Sequence, residues 1–319
     1  MKSNTKIGNG ISQKGIEAIK KNAIIEVLGT DLPKGRTFKY VPVVIQELIA
    51  LADEGDPEAM VDLAERYLHG DMVKKNLSTA ECLLAEAADL GYGPARYRLG
   101  CYYLNECKDW EDQETVEFMA FHRFLEGSRV NHAESANMLG KCYQEGWGVD
   151  SDLEKARAAY TRAMELGNIP AISNLAASYL VGEPMDDDRD QALAVKLYEQ
   201  AIQKGDTSAL IPLAELCDYI AEHDCTKFQQ KYWHHKGTYW YRKAALAGDR
   251  EAQYEMAFRY VDSNGKDEEV NYDLHIYWLF EAAVRGHKDA LDVVRDVCIK
   301  DFLMGESSSK EGAEGNSRK

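Results

Sequence analysis

No run in this 319-residue chain approaches the ~18 apolar residues needed to cross a membrane as a helix. The opening residues, MKSNTKIGNGISQKGIEAIKK, lack the apolar core of a secretory leader. The expected location is therefore the cytoplasm. Cysteine agrees with that: there are seven, an odd number at irregular spacing, which is a poor basis for a disulfide framework. Positive charge is also in short supply. The 38 Lys and Arg face 54 Asp and Glu, a net charge of −16. Nucleic acid and anionic membranes, which are gripped by clustered cations, are not expected partners. A basic protein partner suits the balance, and so does plain solubility. Catalytic signatures are missing as well: there is no Gly-rich phosphate loop, no His-Glu-x2-His run and no nucleophile elbow. Carboxylates are many but scattered. No catalytic residue, cofactor or metal is assigned, and the chain reads as a protein without enzymatic activity.

What is present is a repeat. Gly or Asn, three residues, Ala or Ser, three residues, a large apolar residue, three residues, Tyr or Cys recurs seven times. The lines are Gly55-Ala59-Leu63-Tyr67, Gly91-Ala95-Leu99-Tyr103, Asn131-Ser135-Leu139-Tyr143, Gly167-Ala171-Leu175-Tyr179, Gly205-Ala209-Leu213-Cys217, Gly248-Ala252-Met256-Tyr260 and Gly286-Ala290-Val294-Cys298. Their starts are 36, 40, 36, 38, 43 and 38 residues apart. A period of that length predicts an all-α, right-handed α-solenoid of stacked antiparallel helix pairs, about six to seven repeats of 36–43 residues.

Each repeat reads as two helices. In the unit from Ser135 to Gly167, Ser135, Leu139 and Tyr143 share one helical face. Gly146, Trp147 and Gly148 break that helix, and Ala156, Tyr160 and Ala163 line the next. Gly167 closes it in the left-handed conformation, and Asn131 replaces Gly once in that role. Asp56-Pro57-Glu58 is a helix start, with Asp206 and Asp249 at the equivalent place. Four residues before each closing residue stands a small one: Ala87, Gly127, Ala163, Ala201, Ala244, Ala282. Seven before stands a large one: Leu84, Phe124, Tyr160, Tyr198, Tyr241, Leu279. Small residues admit a neighbouring axis and large ones fill the groove beside it.

These residues resemble the SEL-one-like repeat family, a relative of the tetratricopeptide repeat, whose motif runs roughly A-x3-LG-x2-Y-x2-G-x-GV-x2-D-x2-KA-x3-Y-x-KA-x2-G. The match is close at Leu139-Gly140, Tyr143, Gly146, Gly148-Val149, Asp152, Lys155-Ala156, Tyr160, Ala163 and Gly167, and partial elsewhere. The resemblance covers about residues 55 to 300. It implies an adaptor that holds a protein partner on the concave face, lined by the first helix of each pair. On that resemblance the inward positions fall six and ten residues after each closing residue. They are Val61 and Glu65, Tyr97 and Cys101, Asn137 and Lys141, Ser173 and Ala177, Ile211 and Glu215, Tyr254 and Phe258, Asp292 and Asp296. Tyr254 and Phe258 are the expected anchors.

The ends and insertions complete the plan. Residues 1–14 are expected to be flexible, 15–54 a degenerate capping helix pair, 55–304 the repeat solenoid and 305–319 a disordered tail. Acidic turns occur at Asn105 to Glu117, Glu183 to Asp190 and Asp267 to Glu269. They read as solvated loops, or as a rim that steers a basic partner. The insert Glu222 to Lys236 carries His223, Cys225, His234 and His235 among aromatics. Its spacing is wrong for structural zinc. It reads as a lengthened second helix, or as a partner-contact protrusion presenting Tyr232, Trp233, His234 and His235. Three functions stay open at this point: a monomeric adaptor, an immunity-type inhibitor that neutralises a basic toxin or nuclease through its acidic surface, and, as the least expected, a divergent enzyme or metal protein centred on the insert 222–236.

Overall fold

The computed structural model describes residues 43–107, 112–181, 188–223, 227–261 and 271–296. Thirteen α-helices are found there, and no strand among the described residues. They are α1 (Val43–Glu54), α2 (Pro57–His69), α3 (Leu77–Asp89), α4 (Gly93–Glu106), α5 (Gln113–Arg129), α6 (Ala133–Glu145) and α7 (Leu153–Glu165), then α8 (Pro170–Tyr179), α9 (Asp188–Gln203), α10 (Leu210–His223), α11 (Lys227–Leu246), α12 (Arg250–Arg259) and α13 (Tyr272–Val284). A 3-10 turn, Thr207–Ala209, leads into α10, and 288–296 is again helical. The chain divides between Ala171 and Ile172 into two compact units. In the first, consecutive helices from α1 to α7 pack in turn, and the leading helices also touch each other, α2 with α4 and α4 with α6. In the second, α9 packs on α10, α10 on α11, α11 on α12 and α12 on α13. The architecture is the all-α helical-repeat solenoid that the period demands.

The helices begin and end where side-chain chemistry tells them to. Asp56 accepts from the Glu58 amide with Pro57 at the first helical position. Asn76, Asp152, Asp249 and Asn271 cap α3, α7, α12 and α13 by accepting from the amide three residues on. The closing residues Gly55, Gly91, Asn131, Gly167, Gly205, Gly248 and Gly286 all have positive φ. That is the left-handed stop read from the sequence.

The repeat line is the core. Ala59, Leu63, Tyr67, Ala95, Leu99, Tyr103, Leu213, Cys217, Met256 and Tyr260 are buried. Tyr143, Tyr179 and Val294 depart from the line and are half-buried; the Tyr143 ring is edge-on to Phe121 at 5.5 Å with the Lys155 ammonium 5.7 Å away. All twelve of the small and large residues on the second helices are buried. Close approach explains one motif glycine. A Cβ at Gly140 would lie 2.5 Å from the Tyr160 ring, so only glycine lets α6 and α7 come together there.

Of the expected cap, α1 ends at Glu54, just before Gly55, and packs on α2. Residues 15–42, the tail from Gly305, and Cys298 lie outside the described residues.

Candidate functional site

The first helix of each pair carries the positions assigned to partner binding. At three six-positions a joint appears that the sequence did not disclose. Tyr97, Ser173 and Tyr254 each meet the first residue of the next repeat, which also caps the helical segment that follows it. Tyr97 lies against His132 with ring centroids 5.7 Å apart, and His132 Nδ1 accepts from the Ser135 amide to start α6. The Ser173 hydroxyl donates to Asp206 at 2.5 Å, and Asp206 accepts from the Ser208 amide. Tyr254 stacks on His287 at 4.1 Å, and His287 Nδ1 accepts from the Ala290 amide. Histidine is an uncommon cap, so only the register, one residue after Asn131 or Gly286, could have flagged the two histidines.

The consequences differ from one assigned residue to the next. Val61 is buried, 8% exposed, and so is withdrawn from any partner. Tyr97 is half-buried between Phe124, 6.2 Å away, and His132. Burial, then Cys101 beside it, pushes its hydroxyl up to about 12. Asn137, Lys141, Ile211 and Ala177 are half-buried, while Asp292 and Asp296 are exposed. Tyr254 is half-buried and Phe258 is 38% exposed, the two rings edge to face at 4.9 Å. Phe258 is further steadied by His275, 5.6 Å away, whose Nδ1 bonds the Ala257 carbonyl. Here two aromatic faces are held in place and still reach solvent.

The ten-position pairs with the seven-position of the next repeat. Glu65 takes the Arg98 guanidinium at 2.8 Å, and Arg98 also lies 5.9 Å over the Tyr97 ring. Cys101 and Met138, the next such pair, line a cavity of about 390 Å³ with Leu104, Gln113, Glu117 and Trp147. In the second unit the pair is Glu215 and Glu255, two exposed carboxylates. Desolvation, then Glu255 and Asp218, raises the Glu215 carboxyl above its ordinary range.

Residues 227–236 of the insert belong to one twenty-residue helix, α11, while Glu222 and His223 end α10. Tyr232 and His235 are exposed, and Trp233 is half-buried under the Lys236 ammonium, 5.0 Å from the ring. His234 corrects the expectation of a protrusion, because it is 6% exposed and faces inward. Its Nδ1 is 3.2 Å from Asp218 Oδ1. Asp218 also receives the Arg259 guanidinium, which donates to Thr238 at 2.8 Å and lies 4.4 Å over the Tyr241 ring. This buried ionic knot joins α10, α11 and α12. Cys225 lies outside the described residues, among which no group of His, Cys, Asp and Glu is placed to hold a metal. Trp110 with its acidic neighbours Asp109 and Glu111, Asp186 and Asp187, and Asp267 to Glu269 also lie outside.

Cys142 and Cys217 are buried, and burial pushes each thiol up to about 12. In the folded chain at pH 8, iodoacetamide should label the half-buried Cys82 and Cys101 well before these two. Mass spectrometry of the labelled peptides checks the order.

Consecutive helical hairpins of this length define a helical-repeat protein. The chain belongs to the Sel1 repeat family: the family profile matches residues 57–92, 133–168, 169–206, 234–249 and 250–287. Among curated proteins it is 30% identical over 159 residues to the chitin synthase regulator SKT5 of Saccharomyces cerevisiae, covering 49% of this chain and 22% of that one. It is 30% identical over 135 residues to cytochrome c oxidase assembly factor 7 of Mus musculus, covering 41% and 57%. The chain thus spans less than two thirds of either relative. A Sel1 repeat protein from Oxalobacter formigenes shares the fold with a TM-score of 0.56 at 22% identity, covering 75% of this chain and 96% of that structure. No described helix is long and apolar enough to cross a membrane.

Proposed function

We propose that the chain is a non-enzymatic cytoplasmic adaptor that holds a partner protein of basic character against the leading-helix face of its repeats. One observation carries this reading: Tyr254 and Phe258 are fixed by His287 and His275, yet present open ring surface on that face. Rigid, half-exposed aromatics are what protein interfaces use as anchors, because little side-chain freedom is lost on binding. The relatives' names agree in kind, since one is a regulator of chitin synthase and the other an assembly factor of cytochrome c oxidase.

The test is capture of partners from source lysate by the whole chain and by the Tyr254→Ala, Phe258→Ala double variant. The variant should weaken capture by about 2 kcal/mol or more, roughly 30-fold, with helical circular dichroism unchanged. Unchanged capture removes the assignment of this face. A neutralising inhibitor would show one dominant basic target lost at high salt, whereas an adaptor would keep several partners there.

A further inference from the structure

We infer that the leading-helix face of the second unit is built to receive a cationic side chain, arginine or lysine, from the partner, seated between Glu215 and Glu255 beside the Tyr254 and Phe258 rings. This rests on that face being the binding face. Two equivalent places in the repeat, one in each unit, are filled differently.

In the first unit the place is complete. Tyr97 is six residues after its closing Gly, Arg98 is seven after, and Glu65 is ten after the closing Gly of the preceding repeat. Arg98 is the cation: it bonds Glu65 at 2.8 Å and lies over the Tyr97 ring. In the second unit the same register positions hold Tyr254, Glu255 and Glu215. Ring and acceptor carboxylate are retained, but the cation is replaced by a second carboxylate. Among the described residues, neither Glu215 nor Glu255 has a cationic partner.

The neighbouring turn shows that the two leading helices are close enough for the exchange. Arg259, four residues after Glu255, reaches from α12 to Asp218, three residues after Glu215 on α10. One turn earlier on the same two helices, Glu215 lies within electrostatic range of Glu255. Desolvation raises the Glu215 carboxyl most, and the like charges of Glu255 and Asp218 raise it further. The fixed rings add the second half of a cation site, an aromatic face beside paired carboxylates. Arg259 itself is not available for this role, since it is 3% exposed and held by Asp218, Thr238 and Tyr241.

The substitution Glu255→Arg recreates in the second unit the arrangement that the first already has. A display library of random dodecapeptides panned against the whole chain, with wild type, Glu255→Arg and the Tyr254→Ala, Phe258→Ala variant in parallel, reads the inference out. Wild type should enrich peptides with an invariant Arg or Lys. Their affinity should fall at least about tenfold on Glu255→Arg and on replacing that one residue by Gln. Glu255→Arg should also raise the thermal midpoint by supplying the missing partner of Glu215. Peptides that need Tyr254 and Phe258 but carry no invariant cation would overturn the inference and leave the face assignment standing. If no peptide depends on those two rings, both fail. If Glu255→Arg lowers the midpoint, the like-charged pair is not there and the inference is overturned.

Discussion

Replacing Arg259 by Met lowers the stability of the second unit by about 3 kcal/mol. Arg259 is 3% exposed, and its guanidinium is shared between Asp218, Thr238 and the face of Tyr241. Removing one partner of a buried ion pair leaves the other charge desolvated and uncompensated, at about 3–5 kcal/mol. The lower end applies because the Asp218 side chain keeps 19% exposure and its contact with His234. Arg259→Lys should recover only part of the loss, since an ammonium cannot serve Asp218 and Thr238 as a planar fork. The double change Asp218→Leu with Arg259→Met removes both charges and should be more stable than Arg259→Met alone. Urea titrations followed by circular dichroism test all three. If Arg259→Met costs less than about 1 kcal/mol, the knot is not a structural element of the unit.

The second large effect is Gly148→Ala, expected to cost about 3 kcal/mol. Gly148 has φ +66, and an added Cβ would lie 2.4 Å from the Glu117 carbonyl oxygen. The obstacle is the backbone of α5, which cannot rotate away as a side chain can. The cost therefore combines left-handed strain of about 1–2 kcal/mol with a displaced loop. Gly167 supplies the control. Its φ is +93 and a methyl group there would meet nothing within 4 Å, so Gly167→Ala should cost only about 1 kcal/mol. Equal costs for the two would show that conformation alone, without the contact to α5, governs Gly148. Because Trp147 lines the cavity beside Met138, Gly148→Ala should also speed alkylation of Cys101.

The fold was legible because its signal is repeated. A small residue, a large apolar one and Tyr or Cys at four-residue intervals after Gly or Asn can be read seven times, and each instance checks the others. Burial of Leu63, Leu99, Leu213 and Met256 follows from that line alone. The face was less legible, for a physical reason. Which side a leading helix presents follows from the repeat, but how far each residue reaches solvent depends on what the next repeat sets against it. Val61 and Tyr254 share a register position, and one is buried while the other keeps a half-open ring. His234 shows the same limit. Surrounded in sequence by exposed Tyr232 and His235, it turns inward because Asp218 on α10 offers an acceptor, and nothing local in the sequence reports that.

The contact that Tyr97, Ser173 and Tyr254 make with the cap that follows carries a consequence for how such chains can diversify. Tyr97 with His132, Ser173 with Asp206 and Tyr254 with His287 are three different chemistries for one joint. A new residue at the six-position has to be matched by the opening residue of the next hairpin, which must still start its own helix. The module that can be exchanged intact is therefore not the stretch from one closing glycine to the next. It is that stretch carried one residue further, so that a transplanted hairpin arrives with the first residue of its successor and the joint travels whole.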